Sequence, residues 1–523
     1  MMYQNLIRVP RTHRGPMCKA GAMSMLVLAS LLSTAAGAQT LPGPATCTGL
    51  VGLQVDTGVV TASERFAKGA SIAPSTSGGA GSLFGGDATV TATANLCRVK
   101  LQLKPTASSL INVEVWLPET WNGKMFGYGG GGLSGGLGQS ATLMNTSAGK
   151  GYASATSDLG HTASTTAEWA GGQPEKIIDW GHRAGHLSAV TSKQVMNAYY
   201  QAPVQRAYFQ GCSGGGREAL MSVSRYPGDY DGVIAGAPAM DWGELMSQHV
   251  WTAQIRESAP NLANKFSAIT AAVKKACDKN DGVQDGILEN PQKCTFDPVV
   301  MKCSLFDTNS CLNNAEIAAM RKLYEGPKLT NGELLIPGLA KGSEGGWLMA
   351  YILNYLGGGP EYYKWMVYNN SGWTPSNFYL DTDVAQSRAR VEPISDSGDP
   401  NISAFIQRGG KLIMWHGWAD QMIPSANSVR YYEKAQALLG STLSNSARLF
   451  MVPGAQHCQA GFDMVPHLEK WVEQGQAPTQ VINTTQALFS TTTHPLCPWP
   501  QVAAYNGSGS TTSAASYTCR EQP

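Results

Sequence analysis

Residues 207–238 constrain the fold more than any other segment. Ala207-Tyr-Phe-Gln210 is a short apolar run with strand character, and it leads straight into Gly-Cys-Ser-Gly-Gly-Gly (211–216). Arg217 to Arg225 then continues with helical character, and Asp231-Gly-Val-Ile-Ala-Gly-Ala-Pro238 reads as a second strand closed by proline. Strand, sharp glycine-rich turn, helix and strand at this spacing form an α/β unit built on a parallel sheet. The turn has the Gly-x-Ser-x-Gly pattern that lifts a serine above the sheet edge, with Gly211 and Gly215 tolerating the crowding.

The rest of the chain extends this unit. Ala92–Leu103 and Leu110–Leu117 alternate apolar and polar residues and read as strands. Phe126-Gly-Tyr-Gly-Gly-Gly-Gly-Leu133 is a strand end running into bare backbone, and residues 183–200 have helical spacing. Strand patterns return at Lys411–Trp415 and Ala447–Val452. Between them, residues 241–399 are rich in Trp, Asn and Gly, hold four cysteines and show few strand-like runs. The reading is an α/β-hydrolase fold over 39–240 and 400–523, with a mainly helical lid inserted over 241–399.

A serine hydroxyl is a poor nucleophile at neutral pH and needs a base, which in turn needs an orienting carboxylate. In this fold the chain order is serine, acid, histidine. Asp420 follows the strand ending at Trp415 by five residues, and His457 follows the strand ending at Val452 by five. Ser213, Asp420 and His457 are therefore the expected triad. His416, close to a strand end, is the rival histidine, and a buried hydrogen-bonded role is expected for it. Asp158 and His161 precede the serine, break the chain order and read as structural. The oxyanion needs backbone donors; these are assigned to Gly214 and to the glycine run, at Gly132 or Gly131.

Composition narrows the partners. The first 38 residues hold Arg8, Arg11, Arg14 and Lys19 and no acid; without them the chain has 34 basic against 37 acidic residues. No basic face for nucleic acid or membrane is expected, and no obligate protein partner is evident. Residues 1–38 read as a signal peptide: a basic stretch, an apolar run from Met23 to Leu32, then Ala36-Gly37-Ala38. A secreted or periplasmic protein should use its cysteines in pairs, and ten remain after Cys18. Spacing favours Cys277–Cys294, Cys303–Cys311 and Cys497–Cys519, leaving Cys47–Cys97 and Cys212–Cys458, although cysteine positions alone do not fix connectivity. Cys212 adjoins Ser213 and Cys458 adjoins His457. Pairing serine with histidine would bring these two sulfurs together.

Cys277-Asp-Lys-Asn-Asp-Gly-Val-Gln-Asp-Gly-Ile-Leu-Glu289 is the second chemical feature. Asp278, Asp281 and Asp285, with the carbonyls of Val283 and Ile287, would make an all-oxygen site suited to a structural Ca²⁺. A solvated acidic turn is the plainer alternative.

These segments together resemble the tannase and feruloyl esterase family, which includes mono(2-hydroxyethyl) terephthalate hydrolase. The resemblance rests on Gly-Cys-Ser-Gly-Gly-Gly-Arg-Glu (211–218), Tyr-Asp-Gly-Val-Ile-Ala-Gly-Ala-Pro (230–238) and Cys-Asp-x-x-Asp-Gly-Val-x-Asp-Gly (277–286). It continues through His-Gly-x-x-Asp (416–420), Val-Pro-Gly-x-x-His-Cys (452–458) and Pro-Leu-Cys-Pro-x-Pro (495–500). It implies a serine carboxylesterase acting on esters of aromatic acids, phenolic or terephthalic in type, through an acyl-enzyme. It also implies the triad above, bonded cysteines beside it, and Ca²⁺ on the five residues named. Gly214 and Ile423 stand where the terephthalate-ester member carries a bulky acid and an aromatic residue. A serine hydrolase of other acyl preference (lipase or peptidase) and a non-catalytic binding protein on the same scaffold are the alternatives.

Overall fold

In the computed structural model, residues 46–75, 89–161, 166–304, 308–348, 358–487 and 490–521 are described. The expected signal peptide over 1–38 lies outside them. Residues 44–523 form one unit. Its frame is a ten-stranded sheet: β1 Gln54–Val55, β2 Gly58–Phe66, β3 Leu96–Leu103, β4 Ile111–Pro118, β5 Lys124–Tyr128, β6 Ala153–Ser157, β7 Arg206–Cys212, β8 Gly232–Gly236, β9 Lys411–Gly417 and β10 Ala447–Val452. Their spatial order is β1-β2-β3-β4-β6-β5-β7-β8-β9-β10. Pairing is antiparallel from β1 to β6 and parallel from there to β10.

Period-two alternation sorts each strand between two cores. Val233 and Ala235 of β8 and Leu412 and Met414 of β9 belong to one face; Ile234, Ile413 and Trp415 belong to the other. Helices α1 (Ala141–Gly149) and α9 (Val465–Gln474) cover the second face through Met144, Leu468 and Trp471. Helices α2 (Ala184–Tyr200), α3 (Gly214–Arg225) and α8 (Ala426–Leu439) cover the first through Val195, Leu220 and Val429. With helices on both faces and parallel central strands, the strand C-termini share one edge. Ser213, Asp420 and His457 all follow strands at that edge.

Between β8 and β9 the chain forms α4 (Trp242–Ser258), α5 (Phe266–Cys277), α6 (Asn314–Glu325) and α7 (Leu380–Arg390). The first three contribute to a separate core, with Ile255, Ile269, Val273, Met320, Leu323 and Trp347 buried together. The start of α6 is fixed by a capping box: Asn313 accepts from the Glu316 N–H, and the Glu316 side chain accepts from the Asn313 N–H. Two C-terminal hairpins, Val481–Ala487 with Ser490–Leu496 and Gln501–Tyr505 with Tyr517–Glu521, were not expected from the sequence. The first has Thr- and Ser-rich strands without apolar alternation, and the strands of the second are only five residues long. Five disulfides join the three pairs that spacing favoured, Cys277–Cys294, Cys303–Cys311 and Cys497–Cys519, and the two that were left, Cys47–Cys97 and Cys212–Cys458. Such use of cysteine fits an oxidising compartment. No helix among the described residues is long and apolar enough to cross a membrane.

Candidate active site

Ser213 sits at the junction of β7 and α3 with φ 64° and ψ −121°. A non-glycine residue holds such a backbone only when its surroundings enforce it. Here the Ser213 N–H donates to Gly236 O (3.0 Å), while Ser213 O accepts from Arg217 N (3.0 Å) and Ala239 N (3.1 Å). The glycines are required by close approach. A Cβ on Gly211 would lie 2.3 Å from Gly215 O, and one on Gly215 would lie 2.6 Å from Gly130 O. A Cβ on Gly214 would fall 2.5 Å from Gly132 O, so the residue after the serine touches the glycine run directly. Gly132 itself has φ +60°.

One residue that sequence reasoning missed holds this run in place. Glu218, one helical turn into α3, accepts the Gly130 N–H (3.0 Å), and Gly130 O accepts the Gly215 N–H (2.8 Å). Burial pushes the Glu218 carboxyl up to about 7, against the charge of neighbouring Arg217 and the Gly130 N–H, which both lower it. The available signal was an Arg-Glu pair in the first turn of a helix whose other early residues are glycines.

Asp420 is fully buried, and each oxygen of its carboxylate accepts two hydrogen bonds. One takes the N–H groups of Met422 (2.8 Å) and Ile423 (2.9 Å). The other takes His457 Nδ1 (2.7 Å) and His416 Nε2 (3.1 Å). Burial alone would raise this carboxyl; the charge of His457 and the bonds from both histidines outweigh it and hold Asp420 well below the usual carboxylate range. His416 is also fully buried and meets Ser428 Oγ through Nδ1 (2.7 Å), the hydrogen-bonded role expected for it. The His457 backbone is held by Gln421, whose Oε1 accepts its N–H (3.2 Å).

The Cys212–Cys458 bond (2.04 Å, Cα–Cα 6.0 Å) stitches the serine turn to the histidine loop across 246 residues. Among the described residues no hydrogen bond joins Ser213 Oγ to His457; such contacts are often long without substrate and tighten in the Michaelis complex. Asp158 accepts from Asn112 and Gly160, and His161 lies 3.8 Å from Trp169 in a ring stack with Nε2 on Leu133 O (2.9 Å). Both serve the scaffold, as expected.

The acidic loop closes on itself. Asp278 accepts from Gly286 N, Asp281 from Val283 N and Asp285 from Ile287 N, and Cys277–Cys294 ties its base. Burial, with Asp285 and Glu289 nearby, pushes Asp281 up to about 6 despite the N–H bonds it accepts. No three His, Cys, Asp or Glu side chains converge as a metal cluster among the described residues. The donor chemistry, carboxylates with backbone carbonyls, is of the type that suits a hard cation. Glu289 also reaches the C-terminal hairpins, through His494 Nε2 (2.9 Å) and Ala503 N (2.9 Å).

A family model described as "Tannase and feruloyl esterase" matches residues 97–520. The chain belongs to this family. It is 30% identical to an uncharacterized esterase of Xanthomonas campestris over 95% of both chains. It is also 30% identical to feruloyl esterase B of Aspergillus niger, over 83% of this chain and 88% of that one. Its structure aligns with the crystal structure of feruloyl esterase B from Aspergillus oryzae at TM-score 0.83 and 25% identity, over 90% of this chain and 98% of that one. The tannase/feruloyl esterase fold is of the α/β-hydrolase type, and this member is a carboxylic ester hydrolase.

Proposed function

We propose that this enzyme is a secreted serine esterase that releases aromatic acids, phenolic ones first, from their esters through an acyl-enzyme on Ser213. The observation that carries the reading is the Asp420–His457 pair tied beside Ser213 by the Cys212–Cys458 bond. His457 Nδ1–H is held by Asp420, which leaves Nε2 to take the serine proton as the hydroxyl attacks the ester carbonyl. The same proton goes to the leaving alcohol. Backbone N–H groups of Gly214 and Gly132 would receive the oxyanion, with Glu218 fixing the run that supplies the second. Water, activated by the same histidine, then frees the acid. The inserted segment packs on the loops that carry the pair, Gly346 meeting Gln421 and Gln456, and would act as a lid supplying the acid pocket.

The named activity of the fungal relatives supports phenolic acids. Parallel product analysis with methyl ferulate, methyl gallate and mono(2-hydroxyethyl) terephthalate tests the reading. Release of ferulate or gallate with kcat/KM at least about tenfold above that for a medium-chain fatty ester is expected. A preference for the fatty ester or for a peptide bond, or no turnover of any substrate, would overturn it.

We also propose that Asp278, Asp281 and Asp285, with the carbonyls of Val283 and Ile287, hold a structural Ca²⁺. Three carboxylates and two backbone carbonyls in one short loop supply the all-oxygen donor set that a hard cation prefers. Chelation should lower the melting temperature by a few degrees, and added Ca²⁺ should restore it. Purified protein without bound calcium and with an unshifted melt under chelator would refute the site.

A further inference from the structure

Asp420 shares one carboxylate oxygen between two histidines, and only one of them is in the triad. His416 lies at the end of β9, four residues before Asp420, and Ser428 lies in the first turn of α8, so strand and helix bracket the acid loop. The order of protons along this row follows from chemistry. An ionised carboxylate can only accept, so His416 Nε2 must carry a proton toward Asp420. A neutral ring then presents a bare Nδ1, and the Ser428 hydroxyl donates to it (2.7 Å). A ring in the other tautomer would aim a lone pair at the carboxylate. The row Ser428–His416–Asp420–His457 is thus continuous, with its first three side chains fully buried. The titratable groups acting on the Asp420 carboxyl are His416 and His457.

We propose that His416 is a positioning residue for catalysis, its tautomer set by Ser428, which fixes the Asp420 carboxylate and limits how strongly that carboxylate attracts the proton of His457. This rests on the triad reading above. Without the His416 donor, Asp420 would become a stronger acceptor for His457, and the His457 imidazolium would be stabilised. The base would stay protonated to higher pH, and the carboxylate would lose one of the four bonds that fix its plane.

His416→Phe keeps a ring of similar shape and removes both nitrogens; His416→Gln keeps an N–H donor that can reach Asp420. For His416→Phe, kcat should fall about 10- to 100-fold with KM within about twofold, the scale of one hydrogen bond to a charged group. The acid limb of its kcat/KM profile should move upward by about half a pH unit or more. His416→Gln should recover most of the rate and return the limb toward its original position. Ser428→Ala, which removes one hydroxyl, should show the same changes at smaller size and serves should His416→Phe not fold. His457→Ala is measured alongside to separate the two readings. If His457→Ala keeps turnover, the triad itself falls. If His457→Ala is inactive while His416→Phe keeps its rate and profile, the role of His416 falls alone. Equal impairment of the Phe and Gln variants with an unmoved acid limb would reduce His416 to packing and overturn the proposal. If only Ser428→Ala can be measured, a rate and profile equal to those of the unmodified protein overturn it as well.

Discussion

Ser213→Ala is expected to lower kcat for an aromatic ester by about 10⁵- to 10⁶-fold, the scale seen when a triad serine is removed, while the protein melts within a few degrees of the original. The size follows from the site's construction: no other hydroxyl is placed on the elbow, and the Asp420–His457 pair has no attacking group without it. The small effect on folding follows from how the elbow is held. Every bond that fixes Ser213 uses its backbone, through Gly236 O, Arg217 N and Ala239 N. Alanine can form all of them at the cost of the same positive φ. Stopped-time product analysis and a thermal melt on one preparation decide it; a variant that turns over within tenfold of the parent would remove the serine mechanism.

The second large effect is expected at the covalent tie between the catalytic loops. Cys212→Ala with Cys458→Ala should cost up to about 5.5 kcal/mol of stability on the chain-entropy account, because the bond closes a loop of 246 residues. At a temperature where the double variant remains folded, kcat should still fall about 10- to 100-fold, since displacements near 1 Å at a reacting centre are that costly. Ser213 and His457 are not yet hydrogen-bonded in this structure, so their approach depends on how the two loops are held. Denaturant melts and initial rates in the same buffer separate the two contributions. Full turnover by the folded double variant would show that the bond serves stability alone.

The sequence made the frame legible where backbone requirements are strict. The strands at 206–212, 232–236 and 447–452 and the glycine turn between the first two were visible because apolar runs there end in residues few other conformations accept. The cysteine pairs were visible because three of them close short loops and one adjoins the chemical candidates. Glu218 was not, since its role is a single bond to Gly130 N, 88 residues earlier, and the Arg-Glu pair that holds it says nothing of that partner. The same holds for Ser428, one of many serines on amphipathic helices until the fold sets it against His416. The hairpin at 481–496 escaped because polar residues dominate its strands, and that at 501–521 because its strands are only five residues long. Their burial is confined to a few positions such as Val481, Leu496 and Tyr517, and they owe their place to pairing and a disulfide more than to a hydrophobic pattern.

Gly211 and Gly215 leave less than a methyl group of room against Gly215 O and Gly130 O. At these two positions main chain rests directly on main chain, with no side chain between them to vary. If the helices inserted after β8 form the acid pocket as proposed, changes in what this enzyme accepts would come from them. The two glycines themselves are closed to gradual change, since the smallest added side chain already collides with backbone.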